Sequence, residues 1–129
     1  MTTIYARVTQ NQRSSYKDIT IDQGSTFLDT VVLKNTDDTV FDLTNYSVRG
    51  KLRRSIASST AIDFTCTKTD EANGVFTIGL SSVQTGDLTT QNYMSTIYHY
   101  DIEIYDDSSP AVVYRVLRGR AFIEPEVTR

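Results

Sequence analysis

The chain has 129 residues, the size of one ordinary domain, and a formal net charge of −3 from 13 basic and 16 acidic residues. This balance argues against a protein whose main task is wrapping nucleic acid or lying on an anionic membrane, since both need a positive field. Cys66 is alone, so no intrachain disulfide is expected, and no segment has the apolar run of a signal peptide or of a ~18-residue membrane span. We expect one soluble domain that is assembled in a reducing cytoplasm.

The first residues hold only scattered apolar side chains and end in a polar stretch, Asn11–Ser15. This composition predicts a mobile amino-terminal arm over residues 1–15. Ile19 and Ile21 then alternate with polar residues, the period-2 signature of a half-buried strand, and they begin a domain over residues 16–123.

Alternating or β-rich segments continue along the chain and are separated by turn residues. Strands are predicted over residues 26–34, 40–43, 46–54, 61–68, 75–80, 97–105 and 111–123. Arg118-Gly119-Arg120 predicts a bulge in the last strand, and residues 81–90 can hold a short helix or 3₁₀ turn. About eight strands at spacings of about 8–12 residues are typical of an antiparallel β-sandwich. The polar segment 124–129 is predicted to be a carboxy-terminal tail.

Several local strings occur in an order that resembles one group of proteins. They are Asp22-Gln23-Gly24-Ser25-Thr26-Phe27, Phe41-Asp42-Leu43-Thr44-Asn45-Tyr46-Ser47-Val48-Arg49, Asn73-Gly74-Val75-Phe76-Thr77-Ile78, Tyr98-His99-Tyr100-Asp101-Ile102-Glu103, Arg118-Gly119-Arg120-Ala121 and the terminal Pro125-Glu126-Val127-Thr128-Arg129. The chain from Ile19 onward is similar to the small immunoglobulin-like virion proteins of tailed bacteriophages, which include the amino-terminal domains of baseplate upper proteins. Gly50 departs from the pattern, because similar chains place a larger apolar residue there.

The resemblance implies an all-β fold, an antiparallel immunoglobulin-like β-sandwich of about 7–8 strands. It also implies a building block of tails, baseplates, fibre attachments or capsid decoration, without enzyme activity. It transfers no catalytic residue to this chain.

The residues predicted to make protein contacts are cations, tyrosines and carboxylates. Alternation puts Arg49, Lys51 and Arg53 on one face of a strand, which is either a solvated face or a docking strip for an acidic partner. Tyr98 and Tyr100 are expected in the core with their hydroxyls near its rim. The other candidate interface residues are Arg54 beside the strip, the exposed anchors Tyr105 and Tyr114, and Glu124, Glu126 and Arg129 in the tail.

The sequence predicts no catalytic residue, no cofactor and no metal site. His99 is the one histidine, and zinc sites need three or four convergent ligands. Cys66 shares a strand face with apolar residues and is expected to be a buried small hydrophobe. The aspartates at 37, 38, 42, 106 and 107 lack the spacing of a calcium loop and suit turns.

We therefore expect a non-enzymatic virion protein, assembled in the host cytoplasm, that contacts other virion proteins and copies of itself in a symmetric assembly, with no nucleic acid or membrane partner. The first alternative is a capsid decoration (cement) protein. A carbohydrate-binding module is a second, although the chain has no Trp for a sugar platform. A hydrolase is the last, and no G-x-S-x-G nucleophile turn occurs.

Overall fold

A computed structural model describes residues 2–8, 14–90 and 94–127 of the chain. These residues form ten strands, which are β1 (Thr3–Val8), β2 (Ser15–Tyr16), β3 (Ile19–Asp22), β4 (Phe27–Asn35), β5 (Ser47–Arg53), β6 (Ile62–Asp63), β7 (Thr65–Asp70), β8 (Val75–Leu80), β9 (Thr96–Tyr105) and β10 (Val113–Glu124). A 3₁₀ turn covers Glu71–Asn73 and a short helix α1 covers Ser82–Gly86.

The strands make two sheets that pack on each other. One has the order β1-β4-β8-β7, and the other has the order β2-β10-β9-β5-β6 with β3 also pairing to β10. The predicted all-β sandwich is confirmed. Most neighbouring strands are antiparallel, but β1 pairs with β4 in parallel, and β2 and β3 each pair with β10 in parallel. The sequence did not predict these parallel pairs.

The core lies between the two sheets and follows the alternation of the strands. In β9 the inward side chains, Tyr98, Tyr100, Ile102 and Ile104, are buried, while the residues between them are partly exposed. Phe64 bridges the sheets where the chain leaves β6 for β7, and its ring centroid is 6.2 Å from those of Phe27 and Tyr100. Burial of this apolar surface is the main force that stabilises the fold.

The predicted arm over residues 1–15 is wrong for β1, which is a strand of the four-stranded sheet. Ile4, Ala6 and Val8 are buried, and the strand is in register with β4 from Thr3↔Thr30 to Val8↔Asn35. Three small apolar residues suffice here because a parallel ladder satisfies the backbone while each inward side chain fills the core. Residues 9–13 of the predicted arm lie outside the described residues.

The predicted tail over residues 124–129 is also attached to the domain as far as it is described. Glu124 is the last residue of β10 and pairs with Asp22. Beyond it, the backbone N–H of Glu126 donates to Oε1 of Gln23 at 3.0 Å. The Gln23 side chain in the β3–β4 turn thus supplies an acceptor to the backbone beyond the last ladder pair. Arg129 lies outside the described residues.

Three predicted elements differ in detail. The segment 40–43 makes only an isolated bridge, Lys34↔Val40, and the segment 61–68 divides into β6 and β7 because the chain changes sheets at Phe64. The irregularity of β10 lies between Arg115 and Leu117, not at Arg118–Arg120. Gly119 has another role, since a Cβ there would overlap the carbonyl oxygen of Lys17.

The predicted short helix is confirmed as α1. Ser81 caps it, with its hydroxyl accepting from the N–H of Gln84 at 3.1 Å while the Gln84 side chain accepts from the Ser81 N–H at 2.9 Å. This reciprocal pair is a capping box.

Candidate functional site

Charged side chains form rows across the outer face of the six-stranded sheet. The register aligns Arg49 with Glu103, Lys51 with Asp101 and Arg53 with His99 between β5 and β9. On the other side of β9, the aligned residues of β10 are Arg115, Arg118 and Arg120. Because alternate residues of a strand point to the same face, a central column of two carboxylates and a histidine lies between two basic columns.

Several of these cations are neutralised by neighbours. Arg49 Nε lies 2.9 Å from Glu103 Oε1, and Lys51 Nζ lies 2.6 Å from Asp63 Oδ1 on β6. On β10, Arg115 pairs with Asp101 at 3.4 Å, and Arg120 pairs with Asp18 at 3.3 Å. Exposed pairs of this kind contribute about 0–1 kcal/mol each, so they mainly set the charge pattern of the face.

Two arginines of the face have no carboxylate partner among the described residues. Arg53 Nη1 donates to the carbonyl oxygen of Ser58 at 2.7 Å, and the Arg118 guanidinium lies 5.3 Å from the ring centroid of Tyr16. Neither guanidinium has a salt-bridge partner among the described residues, so we call these two charges uncompensated, although Arg53 also acts on Asp101 at longer range. The excess positive charge therefore lies at the His99 end of the face, across β5 and β10, and not along β5 alone.

A shallow depression of about 570 Å³ lies over this end of the face. Its lining includes five cations, Lys51, Arg53, Arg115, Arg118 and Arg120, and two carboxylates, Asp101 and Glu103. We call this surface the basic depression. Burial raises the pKa of Asp101, and Arg115 opposes that shift. The arrangement suits an acidic group from another molecule, because paired guanidinium groups donate several directed hydrogen bonds to a carboxylate.

The predicted interface residues do not all meet at this face. Arg54 donates from Nη1 to the carbonyl oxygen of Ile97 at 2.7 Å, beside the depression. Tyr105 is on the outer face with the Arg49 guanidinium 4.4 Å from its ring centroid, whereas Tyr114 packs beside Tyr46 with ring centroids 6.3 Å apart. Tyr105 therefore belongs to the charged outer face, whereas Tyr114 belongs to an aromatic cluster with Tyr46.

The tail carboxylates lie at the edge of the molecule beyond the His99 row. Glu124 Oε1 accepts from the Ser95 hydroxyl at 3.0 Å, and the Glu126 carboxylate lies close to Gly24. The interface role predicted for the tail stays a prediction.

The tyrosines expected in the core are there. Tyr98 and Tyr100 are buried, and their hydroxyls find partners at the rim of the core. The N–H of Thr89 donates to the Tyr98 hydroxyl at 2.9 Å, and the Tyr100 hydroxyl donates to the carbonyl oxygen of Lys17. Burial raises the pKa of Tyr100 well above its usual range.

His99 and Cys66, the candidates for metal binding or catalysis, lie in surroundings that are typical of structural residues. His99 stands between Arg53 and Arg120 on the open face. Cys66 is partly buried, and desolvation raises the pKa of its thiol to about 11. Within the described residues, no group of three or more His, Cys, Asp or Glu side chains is placed to hold a metal ion. No helix in the described part of the chain is long and apolar enough to span a membrane.

Three of the aspartates considered as calcium ligands accept hydrogen bonds from hydroxyl groups within their own loops. Asp37, Asp42 and Asp106 accept hydrogen bonds from the hydroxyls of Thr39, Thr44 and Ser108 at 2.6, 2.5 and 2.6 Å. These hydrogen bonds lower the pKa values of the three carboxyls. The turn interpretation accounts for all three positions.

The sequence reasoning missed the β10 half of the site. Arg115, Arg118 and Arg120 share a face although their spacing is three and then two, because the irregularity near Leu117 buries Val116 and Leu117 together. Tyr16, which lies under Arg118, was assigned to the start of the domain without a role. Three arginines within six residues of a predicted strand were the available signal.

Comparison with known proteins supports the fold assignment. No protein-family model matches this chain, and no curated protein sequence matches it. Among solved structures, the chain is similar to the N-terminal domain of phage TP901-1 ORF48, with a TM-score of 0.56 and 6% sequence identity over 96% of this chain and 99% of that domain. A nucleoside hydrolase-related hypothetical protein from Saccharophagus degradans also matches, with a TM-score of 0.31 and 15% identity over 90% of this chain and 23% of that one. The first likeness shows a shared fold over the whole domain, and the second carries no argument.

Proposed function

We propose that this protein is a structural component of a tailed-phage particle, a building block of the tail, baseplate or fibre attachment that works through protein contacts. The observation that carries the proposal is the fold likeness to a phage protein domain, which covers 96% of this chain and 99% of that domain. The order of the local strings in the sequence supports the same group of proteins. The immunoglobulin-like subtype and the position in the tail are parts of this proposal.

The charged face supports a role in assembly. Arg53 and Arg118, which have no carboxylate partner in the part of the chain that the structure describes, are the kind of side chain that is enriched in protein interfaces. Exposed charges of this type steer association and fix register more than they stabilise a fold. We therefore propose that the protein is a binding module without catalysis, which assembles in the host cytoplasm and contacts its partners through this face.

The test is to find the chain in purified particles. Mass spectrometry of density-purified virions from the phage that encodes it should detect the protein in multiple copies per particle. A particle reconstruction should then contain the sandwich in the tail or baseplate. Density on the capsid surface would replace the tail assignment with a decoration role, and absence of the chain from virions would refute the structural role.

A matched pair of variants tests the contribution of the face. Arg53→Gln with Arg118→Gln removes the two uncompensated charges, while Tyr5→Glu with Thr67→Glu lowers the net charge equally on the outer face of the other sheet. Both control positions are exposed. We expect the first pair to reduce incorporation into particles and the second to leave it unchanged. Normal incorporation of the first pair would show that the face is only solvated.

A further inference from the structure

The charges of the chain are distributed unevenly between two regions. The basic depression is lined by five basic and two acidic residues, and Asp18 and Asp63 beside it pair with Arg120 and Lys51. With these two carboxylates included the depression has five basic and four acidic residues, and the rest of the chain carries eight basic and 12 acidic residues. A positive site on a negative molecule is complementary to the remainder of an identical molecule.

Much of the negative charge lies in loops at one end of the sandwich. The loop after β4 contacts the 3₁₀ turn, where the N–H of Leu43 donates to the carbonyl oxygen of Glu71 at 2.7 Å. Burial raises the pKa of the Tyr46 hydroxyl, and Asp106 of the β9–β10 loop lies close enough to add to that shift. We call these loops the acidic end, and its carboxylates belong to Asp37, Asp38, Asp42, Asp70, Glu71, Asp106 and Asp107.

Few cations neutralise the acidic end. Arg7 pairs with Asp38 at 2.9 Å and Lys68 pairs with Glu71 at 2.9 Å, while Asp107 is exposed and makes no ion pair with another described residue. The hydrogen bonds that lower the pKa values of Asp37, Asp42 and Asp106 keep those loops charged in mildly acidic solution as well.

The two regions are separated along the strands. Tyr105 ends β9 beside the acidic end. Arg53 and Arg118 are aligned with His99 and Asp101, which lie six and four residues earlier in that strand. At about 3.3 Å per residue these separations are about 20 and 13 Å. Both exceed the ~8 Å Debye length of physiological salt, so the acidic end does not neutralise these two arginines in solution, whereas Arg115 and Glu103 of the depression lie nearer to it.

We infer that the acidic end of one copy docks into the basic depression of a second copy, in a head-to-tail contact. The carboxylates of the loops then supply the partners that Arg53 and Arg118 lack among the described residues of their own chain. Such a contact joins two different surfaces, so a docked pair retains one free depression and one free acidic end, and repetition produces a ring or a filament. This inference rests on the proposed structural function, because it names the partner of the same face.

Two variants test the basic depression and the acidic end separately. The depression variant carries Arg53→Gln and Arg118→Gln. The loop variant carries Asp37→Asn, Asp42→Asn, Asp106→Asn and Asp107→Asn, in which the amide oxygens still accept the hydrogen bonds that close the loops. The control is Tyr5→Glu with Thr67→Glu, which changes the net charge by the same amount as the depression variant.

The experiment is sedimentation velocity of the purified chain over a range of concentrations at low and high salt. We expect wild-type protein to associate at an ionic strength of about 0.01 M and to dissociate at about 1 M, where the Debye length is ~3 Å. Each variant alone should lose at least about tenfold in association constant, and the control should not. An equimolar mixture of the two variants should form a heterodimer, because one supplies the intact acidic end and the other the intact depression.

Three outcomes would overturn the inference. They are a monomeric wild-type protein at low salt up to about millimolar concentration, undiminished association of the depression variant, and a mixture that stays monomeric. Circular dichroism of every variant excludes unfolding as the cause. A chain that is monomeric in solution yet present in virions would refute this contact and leave the structural function intact. If the chain associates in solution but is absent from virions, the contact is supported and the structural function is refuted.

Discussion

Replacing Gly50 by alanine should destabilise the sandwich. Gly50 is buried in β5 opposite Ile102. A Cβ added at this position would overlap Ile102 Cδ1 and would lie 3.1 Å from the Asp101 carbonyl oxygen and 3.2 Å from Phe64 Cδ2. The Ile102 side chain therefore fills the space that a side chain at position 50 would need.

The expected magnitude is the difference of two effects. Overpacking of a filled core costs about 1–3 kcal/mol. Loss of glycine's freedom in the unfolded chain offsets roughly 0.5–1 kcal/mol of that cost. We expect Gly50→Ala to lower the free energy of unfolding by about 1–2 kcal/mol, which is a drop of roughly 4–8 °C in Tm for a chain of this length.

A double-mutant cycle identifies the cause. Ile102→Val removes the Cδ1 atom and alone costs about 0.5–1.5 kcal/mol, because it leaves a small cavity. With Gly50→Ala present, that cavity receives the new methyl group, so the double variant should be more stable than the sum of the single changes predicts, by about 1 kcal/mol. Gly86→Ala is the control for the entropic gain, since the nearest atom to its added Cβ is 3.9 Å away.

Urea and thermal unfolding of the four proteins and the Gly86 control measure these values. If Gly50→Ala were as stable as wild type, or if its effect simply added to that of Ile102→Val, the packing explanation for Gly50 would be refuted.

Three further predictions follow from buried groups. Ile4→Ala should cost about 2–4 kcal/mol in urea unfolding, because Ile4 is 3% exposed, whereas a mobile arm would tolerate the change. Burial raises the pKa of Asp29 above 3.8, so its ionisation disfavours the folded state once pH rises through that window, and Asp29→Asn should raise Tm at pH 7 but not at pH 3. An equal gain at both pH values would contradict this. The Cys66 thiol, with its pKa raised to about 11, should react with a disulfide reagent at pH 8 much more slowly in the native than in the unfolded protein, and equal rates would show an accessible thiolate.

The candidate site shows how far sequence periodicity reaches. Alternation placed Arg49, Lys51 and Arg53 on one face of β5, and the structure agrees. Alternation did not indicate that Asp63 and Glu103 neutralise two of them, because those partners come from β6 and β9. The position of the uncompensated charge depends on strand order, which one strand's pattern does not contain.

The amino-terminal segment shows the converse limit. Ile4, Ala6 and Val8 have the correct period for a strand, yet their weak apolar content also fits a mobile arm. The difference arises from the free edge of β4, which offers a complete ladder of backbone partners to β1. A segment with little hydrophobic area is ordered when the sheet supplies hydrogen bonds and the core supplies contacts at the same time.

The sequence by itself determined the class of the fold, the alternation of the main strands, the turns that Asp residues close and the burial of Tyr98 and Tyr100. These features depend on local spacing and on side-chain chemistry, which neighbouring residues carry. Only the tertiary structure decided the parallel pairing of β1, β2 and β3, the overlap that Gly50 and Gly119 avoid, and the convergence of Arg53 and Arg118 over one depression. Each of these depends on which distant segments become neighbours, and that choice is made by packing of the whole core.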